Sequence, residues 1–401
     1  MLHATAASGM HRLRGLPTRI VHAMTPVPSL TSPDLSDVAE QRHVPLPPHG
    51  RPPQLCVLVA LGLFILLPVA SVVGQTASTP VTITVGEFIA GFGVESGRIE
   101  EELSTITDVA VAGDGTVFLL HALAARIRAV STSGSYLDGF GRPGAGPGEF
   151  RNPSALAYNR EDNELYVLDN ATARISALKW DGKHLVYSRS IKASPWGVDL
   201  CYMGDRIYMY AHAGDGGHNI HVLKPSGEEV ASFGEPFGIE GGPDLIAAHI
   251  DAFLVCDQSG ALVTLSDAEK PDTKAYSSDG RLLWRGGQVK DFQAVAIKLV
   301  PGGVLLDRAN SPKLTDRFDA AVLILPGLLL LQYERRERFV SVGATVTKQR
   351  FSIFIDTRSG RRVGLQQGLP RVVGVHGDTL LTVLEDPFPR LEAHRFSWSP
   401  R

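Results

Sequence analysis

The sequence predicts an all-β protein, a six-bladed β-propeller of four-stranded antiparallel blades. Three observations predict it. First, Thr116 to Val130 align without a gap onto Glu164 to Leu178, with Leu120, Ala125, Arg126, Ile127 and Ala129 matching Leu168, Ala173, Arg174, Ile175 and Ala177. The offset from Thr116 to Glu164, 48 residues, suits one supersecondary unit that buries its faces only against copies of itself. Second, 41 Gly and 26 Pro in a 401-residue chain with 7% aromatic residues fit many tight turns between short strands. Third, apolar alternation and turn residues recur in the order strand, turn, strand, loop, strand, turn, strand.

The elements follow in chain order. Residues 1–53 are rich in Pro, His, Ser and Arg, with no acidic residue before Asp34. They read as a disordered leader, or as sequence upstream of the true translation start. Residues 54–74 hold the one strongly apolar segment, Leu55 to Gly74, which is an export signal or a membrane anchor. Pro68 breaks its end and Val72 and Gly74 supply small residues, so cleavage before Gln75 is the favoured reading. The expected location is periplasmic, cell-envelope or secreted, with membrane attachment through 55–74 if the segment is retained.

The propeller is expected over residues 79–399. Blade one runs from about Thr105 to Phe140, its inner hairpin turning at Asp114 and Gly115. Blade two, Pro153 to Ile191, is the best formed; blade three spans Pro195 to Phe233 and blade four Asp244 to Gly286. Residues 287–317 contain strand-like runs that fit no blade. Blade five covers Asp319 to Gly364, and the sixth, from Pro370, is one strand short. Val81 to Ile89, VTITVGEFI, has no repeat of its own and is expected to supply that strand and close the ring.

In blade two, Gly148 and Phe150 precede Pro153, a small apolar strand follows, and a second strand ends in Asp169 before Arg174 and Ile175. This pattern resembles the NHL-repeat family of six-bladed propellers, within the TolB-like superfamily. The resemblance covers one blade fully and the others weakly; His121 and Ala211 stand where blade two has Asp169. It implies the fold, and it implies no particular activity.

A formal net charge of -3 argues against a protein that works by neutralising nucleic-acid phosphates. Of three Cys, Cys56 lies in the apolar segment; Cys201 and Cys256 are placed on inner strands of neighbouring blades and are expected to be two buried free thiols. The chain is expected to be a monomer.

Candidate functional residues lie on the loops joining second and third strands. His121, Asp169 and His212 end the second strands of three consecutive blades, with Ser266, Tyr333 and Glu385 at the corresponding place elsewhere. They form a candidate channel-mouth cluster; loop-capping hydrogen bonds are their structural reading. The longest loop, from Glu334, carries Arg335, Arg336, Arg338, Lys348 and Arg350, which would steer a charged partner. Arg126 and Arg174 are expected to bridge blades, with Asp169 a possible acceptor. His218 and His221 lie an odd number of residues apart on a strand, a poor spacing for one metal ion. No nucleophile elbow or phosphate loop occurs. The reading is a non-catalytic module that binds a protein or small ligand through its loop face, without a cofactor. The alternative is a metal-assisted hydrolase or lyase with a divalent ion at the channel mouth.

Overall fold

The computed structural model describes residues 80–98, 100–103, 105–212, 217–235, 251–300, 303–307, 309–337 and 348–399. The expected leader, the apolar segment 55–74 and Arg338 lie outside them. No helix among the described residues is long and apolar enough to cross a membrane.

Strand β1 is Thr82–Phe92. Blade one follows as β2 Asp108–Val111, β3 Val117–His121, β4 Arg126–Val130 and β5 Tyr136–Phe140. Blade two is β6 Pro153–Asn159, β7 Glu164–Asp169, β8 Arg174–Trp180 and β9 Leu185–Lys192. Blade three is β10 Gly197–Met203, β11 Arg206–Ala211, β12 Ile220–Leu223 and β13 Glu229–Phe233. Blade four is β14 Ala252–Asp257, β15 Leu262–Asp267, β16 Thr273–Ser277 and β17 Leu282–Gly286. A separate two-stranded ribbon, β18 Ile297–Val300 and β19 Gly303–Leu306, lies within the stretch that fits no blade. Blade five is β20 Leu314–Leu325, β21 Leu328–Glu337, β22 Lys348–Asp356 and β23 Arg362–Gln367. Blade six is β24 Arg371–His376, β25 Thr379–Leu384 and β26 Arg390–Ser399.

Each blade is an antiparallel four-stranded sheet, and β1 is the fourth strand of the sixth, in the order β1-β26-β25-β24. Thr82 pairs with Ser399 and Phe92 with Leu391. The ring is therefore closed by the N-terminal strand, as the sequence predicts. β1 also reaches blade five: Val81 N–H donates to Val363 O at 2.8 Å, and Gln366 both accepts from Ile83 N–H and donates to Ile83 O. A Cβ on Gly364 would stand 2.1 Å from Val81 O, so glycine is required for this approach.

The core is divided among the junctions. Among the described residues six apolar clusters occur, one at each blade-to-blade contact. Phe118, Leu165 and Val167 pack between blades one and two, Tyr166, Ile175 and Ile207 between two and three. Burying each such side chain contributes roughly 1.5–3 kcal/mol. The matched repeats of blades one and two have a local cause: Ala125 and Ala173 both take the left-handed conformation, φ 51, after short 3₁₀ turns. That reverses the chain and starts β4 and β8 at Arg126 and Arg174.

Polar ties join the same junctions. Asp108 accepts from Leu156 N–H at 2.6 Å, Asp199 from Leu254 N–H at 2.7 Å, and Gln332 from Val372 N–H at 2.6 Å. Cys201 and Cys256 form a disulfide between β10 and β14, with Cα atoms 5.7 Å apart. This corrects the expectation of free thiols. First strands of adjacent blades run side by side down the channel wall, a proximity that their 55-residue separation does not reveal.

Arg174 holds the connection that leads into its own blade and does not bond Asp169. Its guanidinium donates to Ala145 O at 3.0 Å and Glu149 O at 2.6 Å, pinning the connection between blades one and two.

Candidate functional site

First strands line a propeller's channel, so residues at their starts face its mouth. A cavity of about 500 Å³ lies there, lined by residues of all six blades. Blades one to four contribute Asp108, Ser154, Asp199 and Phe253; blade five contributes Arg317, Asp319, Glu334, Arg336, Lys348 and Arg350; blade six contributes Arg371 and Glu385. β20 and β21 are longer than the first and second strands of every other blade, which is why one blade supplies so much of the charge.

The cavity has two chemically different sides. On one, Asp108 and Asp199 each accept a hydrogen bond from the N–H of the next residue, Val109 or Leu200, and another from the next blade. Burial pushes both carboxyls up from the ordinary range, and the charge of Asp108 pushes Asp199 further. Their backbone hydrogen bonds, and Arg371 beside Asp108, oppose this and do not overcome it.

On the other side stands an ion-pair network. Arg350 contacts Asp319 at 2.5 Å and Glu334 at 3.7 Å, Lys348 contacts Glu385 at 3.2 Å, and Arg336 contacts Glu334 at 3.5 Å. Arg317 pairs with Asp251 and with Glu269. Arg371 donates to the carbonyls of Asp319 and Ile106, joining blades five, six and one. Burial pushes the Asp319 carboxyl up in spite of Arg350 and Arg371.

The residues named from sequence divide among different places. Arg336 lines the mouth. Arg335 does not: it is paired with the fully buried Asp316 through two bonds of 2.7 and 2.8 Å, and its guanidinium lies 5.3 Å from the centre of the Phe351 ring. Arg338 is outside the described residues. Asp169 is fully buried and accepts from Arg151 N–H at 2.8 Å and Asn152 N–H at 3.0 Å, capping the entry to β6. His121 bonds Arg128 through Nδ1 at 2.7 Å and lines a separate cavity of about 430 Å³ with Glu100, Tyr136 and Phe388. Burial and the Arg128 charge pull its imidazole below the usual histidine range. His212 packs edge-on against Tyr210, its N–H donating to Trp196 O.

The three therefore do not line one cavity. His121 and Asp169 end second strands and His212 follows one, all one strand out from the channel, where a side chain meets the next loop instead of the mouth. In blade four the position of Asp169 belongs to Asp267, not Ser266, since Asp267 pairs with Ala252 as Asp169 pairs with Pro153. His218 and His221 are engaged separately, with Ser232 and Glu229. Among the described residues no three His, Cys, Asp or Glu side chains converge as a metal site would require.

Asp108, Asp199, Asp319 and Arg371 were not among the residues singled out from sequence. A signal for the three acids exists: each stands beside apolar residues of a first strand, in DVAV, VDLCY and FDAAV. An acid at a core strand position needs a partner or a function.

Neither a family model nor a curated protein sequence matches the chain. Solved structures are similar in fold. A member of the DUF4221 family from Bacteroides vulgatus matches 80% of this chain and 99% of its own length, at 9% identity and a TM-score of 0.57. A Bacteroides fragilis protein inferred to be exported matches 79% and 95%, at 9% identity and a TM-score of 0.47. A streptogramin B lyase matches 79% and 98%, at 10% identity and a TM-score of 0.46. At such identities the likeness concerns the fold alone, and it does not single out NHL-repeat proteins. What the chain shares with these structures is the β-propeller.

Proposed function

We propose that this protein is an exported propeller that binds and does not catalyse, holding a small polar ligand at the mouth of its channel. The observation that carries this reading is the single cavity of about 500 Å³ to which all six blades contribute. That volume lies within the range of small-molecule sites. Closed rings hold such a lining rigidly, because each first strand is fixed by its own sheet and by the next blade.

Binding is favoured over the metal-assisted alternative by the donor set. Six carboxyls and five cationic side chains line the mouth, and its carboxylates already accept backbone hydrogen bonds or pair with Arg and Lys, which makes them poor ligands for a divalent ion. The NHL-repeat relationship belongs to the same proposal; it is supported by Gly148, Phe150, Pro153, Asp169, Arg174 and Ile175 in blade two. Export is supported by the apolar run Leu55 to Gly74, and sequencing the N-terminus of the mature protein, expected at Gln75, tests it.

The binding test is native mass spectrometry of the protein after incubation with a small-molecule extract of its native envelope. A mass retained by the wild type and lost in both Asp199→Asn and Arg336→Ala is the expected result. Retention unchanged in both variants places the ligand elsewhere and overturns the reading.

A further inference from the structure

A second cavity, of about 430 Å³, lies apart from the mouth, at the seam where blade six meets blade one. Its walls are β4 and β5, the segment that leads from β1 into blade one, and the turn at 387–389 of blade six. Tyr136 and Phe388 bring aromatic rings to it, and Leu103, Ile127, Pro387 and Pro389 add apolar surface. The volume is that of a small-molecule site.

The charged groups around this cavity divide into those already engaged and those not. Arg128 is engaged: its Nε donates to Glu100 O at 2.7 Å, and its guanidinium bonds His121 Nδ1 at 2.7 Å. Glu102 accepts from Gly97 N–H at 3.0 Å. Arg98 pairs with Glu101, and Arg390, whose guanidinium lies 5.5 Å from the centre of the Phe388 ring, pairs with Glu392. Arg126, Glu95 and Glu100 also line the cavity, and among the described residues none of these three side chains makes a hydrogen bond or an ion pair.

The repeat shows why Arg126 is left over. Arg126 and Arg174 begin matching strands, and Arg174 is engaged by the carbonyls of Ala145 and Glu149 in the connection into blade two. In blade one the matching connection is held by Arg128 instead, through the Glu100 carbonyl. Arg126 keeps the position and loses the contact, so its guanidinium stands exposed at the cavity. Burial and the charges of Asp138 and Glu100 push the Tyr136 hydroxyl above the usual tyrosine range, against the pull of Arg128 and Arg126. The carboxylate of Glu100 and the guanidinium of Arg126 thus act on one phenol without closing on each other.

We propose that the seam cavity binds a small zwitterion with an apolar body, a free aromatic amino acid or a dipeptide that carries one. Its carboxylate lies on Arg126, its ammonium on Glu95 and Glu100, and its side chain against Tyr136 and Phe388. A simple anion would face the three carboxylates of Glu95, Glu100 and Glu102. A simple cation would gain from the aromatic faces and then meet the uncancelled charge of Arg126.

The test is isothermal titration calorimetry of the intact protein at neutral pH with L-phenylalanine, L-phenylalanyl-L-alanine, phenethylamine and 3-phenylpropionate. At least one of the two zwitterions is expected to bind at a single site, the tighter of them telling amino acid from dipeptide. Phenethylamine and 3-phenylpropionate, which each lack one charge, are expected to be at least about 10-fold weaker, as loss of a charged hydrogen-bonded contact implies. Arg126→Gln should weaken the zwitterion by about 10-fold or more and leave phenethylamine unchanged. Glu100→Gln should weaken it comparably and leave 3-phenylpropionate unchanged. Neither substitution removes a side-chain contact among the described residues, and each tests the site alone if circular dichroism shows that the other has misfolded. No saturable binding of either zwitterion, binding of phenethylamine or 3-phenylpropionate as tight as theirs, or zwitterion binding indifferent to the substitutions overturns the proposal. None of these results touches the reading of the mouth.

Discussion

Cys201 and Cys256 are bonded two residues beyond the point where Asp199 accepts the Leu254 N–H, so the first strands of blades three and four are joined twice in the same register. Residues two apart on a strand share a face. The covalent link and the cavity-lining carboxyl are thus parts of one short stretch of channel wall.

This link is expected to stabilise the ring strongly. Closing a loop over a separation of 55 residues is worth about 4 kcal/mol in the chain-entropy account. Urea denaturation of Cys201→Ser/Cys256→Ser should show a loss of roughly 2–4 kcal/mol. Non-reducing peptide mapping should recover the peptides containing Cys201 and Cys256 as one species; separate alkylated peptides from the untreated protein would contradict the pairing.

Arg335 is expected to matter for stability and not for binding. Asp316 is fully buried and takes two of the guanidinium's three hydrogen bonds, the third going to Asp291 O, as well as one from Gln293 N–H. Arg335→Ala leaves that carboxylate unpaired, at a cost of about 3–5 kcal/mol, and Arg335→Lys should recover less than half because one ammonium cannot reproduce the two-bonded fork. Thermal unfolding measures the loss. A variant as stable as the wild type would show that the pair contributes nothing.

Asp267 should make stability depend on pH. Burial pushes its carboxyl up to about 7. The native state then holds the proton more tightly than the unfolded chain, so this contribution is fully present below about pH 4 and is lost as pH rises to about 7. Asp267→Asn keeps the Oδ1 that accepts from Glu269 and Lys270 N–H and removes the charge. At pH 8 the variant should be more stable by about 1–3 kcal/mol, with the gap closing toward pH 4. A constant difference across that range would rule out titration of Asp267 as its source.

Asp169 should behave as a cap. Asp169→Ala removes the buried acceptor of the Arg151 and Asn152 N–H groups and should cost about 1–3 kcal/mol. Calorimetry of the same variant should give unchanged affinity at the mouth. A large affinity loss with normal stability would move Asp169 into the site.

The architecture was legible in the sequence because blades are periodic, and periodicity is what a chain displays locally. Blade two declared itself through Pro153, Asp169, Arg174 and Ile175, and β1 through having no repeat to belong to. The ribbon of β18 and β19 was not placed, because an insertion has no period. The mouth was only partly legible. Loop position drew attention to the second-strand ends, whereas the cavity is built at first-strand starts, and which strand faces the channel is a property of the closed ring. Arg335 and Arg336 are adjacent in sequence and part company only because neighbouring residues of a strand point to opposite faces. Asp108, Asp199 and Asp319 were visible as acids in apolar strands, a local conflict of the kind that marks functional sites.

The pairing of Thr82 with Ser399, 317 residues apart, sets an order of events during folding. Blades one to five are built from consecutive hairpins and can form as the chain is made. Blade six cannot, because its outermost strand precedes every other blade and the strand it pairs with follows them all. Contacts of such separation form slowly, so a nearly finished chain is an open crescent with two unpaired strand edges and a divided channel mouth. The mouth is complete only when that crescent shuts, so binding there, as proposed, would report ring closure as well as the site.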